Sequence, residues 1–144
     1  MKCYLPIVLI AVSLAGDPPK KDSDKIQGTW EVSRIELNGK TQPKGPLVSP
    51  VKVTFEGDKL LTRVGKRQPE PRGTVKLDQS RDPKAYDLST SEGPTVLGIY
   101  KLDGDTLSVC LSAPGDERPT TWTTALDDGR TLLIYEREKP PAGK

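Results

Sequence analysis

Apolar residues in this chain recur every second position in short runs, and the runs are separated by glycine, proline and aspartate. Val51, Val53 and Phe55 alternate with Lys52, Thr54 and Glu56, the pattern of a strand with one buried and one solvated face. Gly57-Asp58 turns that run into Leu60, Thr62 and Val64. Asp103-Gly104-Asp105 joins Val96–Leu102, apolar on both faces, to Leu107, Val109 and Leu111. Asp127-Asp128-Gly129 leads into Leu132–Arg137. Further strands are predicted at Val75 and Leu77, at Tyr86 and Leu88 after Asp82-Pro83, and around Trp122 after the loop Ala113–Pro119. A polar loop is expected from Gly65 to Pro71.

The first strand, Gly28–Leu37, changes phase. Trp30 and Val32 share one face, and Ile35 and Leu37 share a face only after a one-residue slip, so a bulge is expected near Ser33-Arg34. Asn38-Gly39 ends it in a sharp turn, and the proline-containing segment 40–50 reads as a longer loop. No helical period persists, apart from one short turn predicted over Ser23–Gln27 with Ser23 as its cap. Eight or nine strands joined in sequence predict an all-β, antiparallel up-and-down meander. Closure into a barrel would remove the unpaired edges. With about two apolar residues per strand, the barrel should be filled or narrowly hollow.

The ends of the chain follow other rules. Residues 1–16 place one lysine before an apolar run, then Ser13 and Ala15 at signal-peptidase spacing, the plan of a cleaved secretory signal. The expected organisation is a signal peptide over 1–16, a disordered spacer over 17–24, a barrel domain over 25–138 and a disordered tail over 139–144. The destination would be the periplasm or the exterior, with no membrane span left after cleavage.

Composition narrows the chemistry. The 144 residues carry a net charge of +2 with no basic stripe, so no nucleic-acid partner is expected. Only 33% of residues are hydrophobic, with 13 glycines and 14 prolines, values that fit disorder were it not for the alternation. There is no histidine, which removes the commonest general base and metal ligand, so no metal or cofactor is expected. Cys3 falls in the signal segment, leaving Cys110 alone in the mature chain.

Candidate reactive groups have plainer readings. Cys110, between Ser108 and Ser112 and opposite Leu107, Val109 and Leu111, lacks a partner base and reads as a packing residue. Asp116, Glu117 and Arg118 share one loop and read as a solvated cluster with a local ion pair, since adjacent carboxylates do not flank a bond from two sides. The repeated Gly-Asp turns lack the spaced ligands of a calcium loop. Tyr86, Tyr100 and Trp122 are candidates to line a cavity and stack on a ligand, or else to fill the core. No catalytic residue is assigned.

Gly28-Thr29-Trp30 at the start of the first strand resembles the entry motif of lipocalins and their relatives. That resemblance implies an arginine stacked across the indole, with Arg137 the candidate and Arg34 the second choice, in a structural closure role for Gly28, Trp30 and Arg137. More widely, Ile26–Trp30, Val53–Leu60, Pro83–Leu88, Leu97–Leu107 and Gly115–Pro119 resemble an uncharacterised lipocalin-like domain family of planctomycete bacteria, in order over about 25–138. Tyr86 departs from the aliphatic residue usual there. The resemblance implies an exported barrel and no activity. The leading expectation is therefore a monomeric, non-enzymatic barrel binding a small apolar or amphipathic molecule. The alternative is an interaction or structural module of the cell envelope.

Overall fold

The structure, a computed structural model, describes residues 21–42 and 50–138. The expected signal peptide and the tail lie outside the described residues. Among those described are one short helix, α1 (Asp22–Lys25), and nine strands: β1 (Gly28–Leu37), β2 (Lys40–Thr41), β3 (Val51–Glu56), β4 (Lys59–Val64), β5 (Glu70–Asp78), β6 (Lys84–Ser89), β7 (Val96–Asp103), β8 (Thr106–Leu111) and β9 (Thr131–Arg137).

Every strand pairing is antiparallel. Apart from the two-residue β2 on the flank of β1, the strands follow chain order from β1 through β3 to β9, and β9 pairs back onto β1. The chain is thus a closed eight-stranded up-and-down barrel with one extra strand. Closure satisfies the backbone groups that an open meander would expose. β1 makes it possible, because Gly28–Glu31 pairs with β3 while Trp30–Leu37 pairs with β9. The register shifts between Val32 and Arg34, at the phase change expected from the sequence. The extra residue bends the strand so that Trp30, Val32, Ile35 and Leu37 all keep to the inner side.

Register and burial place Trp30, Val53, Phe55, Leu60, Tyr86, Tyr100, Leu107, Val109 and Tyr135 in one interior cluster. Trp30 is fully buried, and its indole Nε1–H donates to the Ile26 carbonyl at 2.8 Å. The polar edge of the ring therefore has a partner while the rest fills the core. A second, smaller cluster lies on the outside of the wall, where Ile99, Cys110 and Leu132 meet Trp122 and Ile134.

Several expectations need correction. The segment around Trp122 is not a strand: residues 112–130 form a strap laid over the outer wall, with Trp122 as its apolar contact. β5 begins at Glu70, inside the segment expected to be loop, because Glu70 and Pro71 pair with Thr62 and Leu61 across an irregular register. The helical turn spans Asp22–Lys25 rather than Ser23–Gln27, and Lys21 precedes it without a side-chain cap. The spacer expected through Asp24 therefore gives way at Asp22, whose buried carboxylate anchors the turn to the barrel.

Candidate functional site: the two ends of the barrel

One end of the barrel is closed by α1, Trp30 and Arg137. The guanidinium carbon of Arg137 lies 4.2 Å from the centre of the Trp30 ring. Its Nη1 donates to the Gln27 carbonyl at 2.8 Å and its Nη2 to the Lys25 carbonyl at 2.5 Å, while Nε reaches Asp105 at 3.3 Å. Gly28 has φ +108°, a conformation that side-chain-bearing residues rarely adopt, and an added Cβ would lie 3.5 Å from Arg137 Nη1. Arg34 lies elsewhere, on the exposed side, paired with Glu36 at 2.9 Å.

The second fastening of that end is Asp22. Its Oδ2 accepts from the Tyr100 hydroxyl at 2.7 Å and from Lys84 Nζ at 2.7 Å. Its backbone N–H donates to Gln79 at 2.9 Å. Burial alone would raise the Asp22 pKa, but the bonds from Lys84 and Tyr100 and the charges of Lys84 and Lys25 outweigh it and hold it below its ordinary value. The Tyr100 hydroxyl is pushed up, by desolvation first and then by this bond to the carboxylate. Asp22 is paired with Lys84 and Tyr100, and Arg137 with Asp105, so these four charged side chains and the Tyr100 hydroxyl do structural service.

Beside α1 lies an open cleft of about 460 Å³, floored by Ile26, Phe55, Val75 and Leu77 and edged by Gln27 and Asp58. Its size falls within the usual range of small-molecule sites. Gln27 crosses its edge, accepting from the Gly57 N–H at 2.7 Å and donating to the Gly57 carbonyl at 2.9 Å, which ties the β3–β4 turn to α1.

The opposite end is different. Inward positions there lose burial step by step. Trp30, Tyr100, Leu107 and Val109 are enclosed; Val32, Val96, Leu111 and Leu133 are half-buried; Leu37 and Val64, at the rim, are 37% and 41% exposed. The described residues thus form an apolar mouth above a filled floor.

The three aromatic candidates do not converge on one cavity. Tyr100 is tied to Asp22, Trp122 lies on the outer wall, and Tyr86 alone among them remains inside without a hydrogen bond among the described residues. Its counterpart across the interior is Tyr135, which the sequence reading passed over although it alternates with Leu133 in the last strand. Burial pushes both hydroxyls up, and the two phenols also act on each other electrostatically at Tyr86. Both stay protonated at neutral pH.

Cys110 is fully buried, and its thiol is pushed up chiefly by desolvation. Neither property suits a nucleophile. Asp116 and Glu117 are exposed in the strap. Arg118 does not pair within that loop: it donates to Asp87 at 2.6 Å and to the Gly98 carbonyl at 2.7 Å, pinning the strap to the wall. Among the described residues no cluster of three His, Cys, Asp or Glu side chains could hold a metal, and no helix is long and apolar enough to cross a membrane. No family model, curated protein or solved structure matches the chain.

Proposed function

We propose that the chain is an exported, non-enzymatic barrel that binds a small apolar or amphipathic molecule. The observation that carries this reading is the burial gradient inside the barrel. Inward apolar side chains run from Val109, enclosed at 1%, to Leu37 and Val64 at the rim away from α1, at 37% and 41%. A barrel built only as a rigid module has no need of an apolar mouth, which costs stability while it faces water. The signal-like N-terminal segment supports export, and the lipocalin-like sequence motifs support the same class of binding. The envelope-module alternative draws less support, because among the described residues the one strand paired on a single side is β2, which is two residues long and offers little for another chain to extend.

The test is native mass spectrometry of the mature protein purified from its own host, followed by extraction and identification of what it carries. A stoichiometric small molecule, displaced by an added hydrophobic fluorophore, is expected. An empty protein that also fails to bind the fluorophore would overturn the reading.

A further inference from the structure

Among the described residues, the barrel interior buries two tyrosine hydroxyls, those of Tyr86 and Tyr135, that its fold does not use. Tyr86 and Tyr135 are 2% and 6% exposed, and neither hydroxyl makes a hydrogen bond among the described residues. A buried tyrosine normally finds a partner for its O–H, because leaving it unpaired in apolar surroundings costs free energy. Yet no fully enclosed side-chain oxygen or nitrogen among the described residues lacks a partner. Both hydroxyl tips therefore touch space large enough for a water molecule or a ligand atom.

Their surroundings define what that atom can be. Tyr86 and Tyr135 belong to the interior cluster, with half-buried Val32, Val75, Val96, Leu111 and Leu133 packed against it. The inward charged residues on β6 and β9, Lys84 and Arg137, lie at the α1 end, where Asp22 and the Trp30 ring with the Gln27 and Lys25 carbonyls already engage them. An anionic head group drawn down to the tyrosines would be desolvated with no free strand cation beside it, at a large cost. An uncharged oxygen accepts a phenolic hydrogen bond without that cost.

We infer that the hydroxyls of Tyr86 and Tyr135 form a neutral hydrogen-bonding pair that holds the uncharged polar group, a hydroxyl or carbonyl, of an amphipathic ligand whose apolar part lies against Val32, Leu111 and Leu133. This inference rests on the binding reading above and adds a ligand class to it: alcohols, esters and ketones over carboxylate anions.

The experiment compares tetradecane, myristyl alcohol, methyl myristate and myristate for displacement of a hydrophobic fluorophore from the mature protein at neutral pH. The alcohol and the ester are expected to bind most tightly, with myristate weaker by about tenfold or more. Tyr86→Phe and Tyr135→Phe each keep the ring and remove the oxygen. Each should weaken alcohol binding by about threefold to tenfold and leave tetradecane unchanged, while an unchanged melting temperature without ligand verifies the fold. Tetradecane binding as well as the alcohol, myristate equalling the alcohol, or alcohol affinity indifferent to both substitutions overturns the tyrosine pair and leaves the binding reading standing. Failure of all four probes and of the fluorophore overturns both.

Discussion

A Cβ built on Gly73 would lie 2.2 Å from the Ser89 carbonyl oxygen, with the backbone at φ +153°. The obstacle is main chain of the neighbouring strand, which no side-chain rotation relieves. Gly73→Ala should therefore destabilise the protein by about 2 kcal/mol or more, read as a lower urea midpoint at unchanged slope. A loss below about 0.5 kcal/mol, the scale of an ordinary surface change, would show that β5 and β6 can part locally at little cost. Cys110 makes a second residue-level prediction. Buried and held as the thiol, it should be inert to Ellman's reagent in the folded protein and react fully in denaturant. Rapid native labelling would contradict its place beneath the strap. The two residues were unequally legible in the sequence. The alternation of β8 turns Cys110 away from Leu107 and Val109, so its packing role could be read directly. Gly73 lies in a run of polar residues, and the demand for a missing side chain there comes from Ser89, which is distant in sequence.

At the scale of the element, α1 is too short to be stable by itself, since an isolated turn of helix does not repay its nucleation. What holds its four residues is the bond network of Asp22 to Lys84, Tyr100 and Gln79. Asp22→Asn keeps the shape and removes the charge. With Lys84 partly solvated, at 41% side-chain exposure, the expected loss is about 1–2 kcal/mol. The pH dependence has a definite sign. The folded-state pKa of Asp22 lies below its ordinary 3.8, so its contribution is complete above that value and disappears as pH falls through the folded value. The stability gap between wild type and Asp22→Asn should thus be constant near neutral pH and shrink in the acid range below about 4. A gap that instead widens on acidification would contradict the assignment. The sequence shows why this element was misplaced while the strands were not. Period-two alternation marks β3, β4, β8 and β9 locally, whereas the residues of α1 read as spacer because their partners, Lys84 and Tyr100, come from strands far along the chain. The strap departs from the strand expected there for a related reason: Trp122 supplies the apolar signal of a strand, but it packs against Ile99, Cys110 and Leu132 with no strand partner.

The molecule as a whole is held by the meeting of its first and last strands, and Arg137 is the residue at which that closure converges. It touches the Trp30 ring on β1, two carbonyls of the segment leading out of α1, and Asp105 in the β7–β8 turn. Local patterning predicts strands and turns, but closure requires that β9 reach β1 with the correct stagger, and the bulge between Val32 and Arg34 helps set that stagger. Arg137→Ala removes the cation over the ring and leaves the Gln27 carbonyl, now part-buried, without its donor. The expected cost is about 2–4 kcal/mol, from one cation–π contact and two charge-assisted hydrogen bonds. Arg137→Lys keeps the charge but not the planar fork that serves both carbonyls while covering the indole, so it should recover less than half of that loss. Hydrogen exchange distinguishes local loosening from a failure of closure. If Arg137 only tethers α1, protection falls in residues 22–27 alone. If it secures the barrel, the seam amides of Glu31 and Glu136 lose protection together with them, while those of the β3–β4 hairpin, farther from the seam, retain it. The second pattern is expected, because Trp30 pairs directly with Arg137 across β1 and β9 and fills the interior from that position.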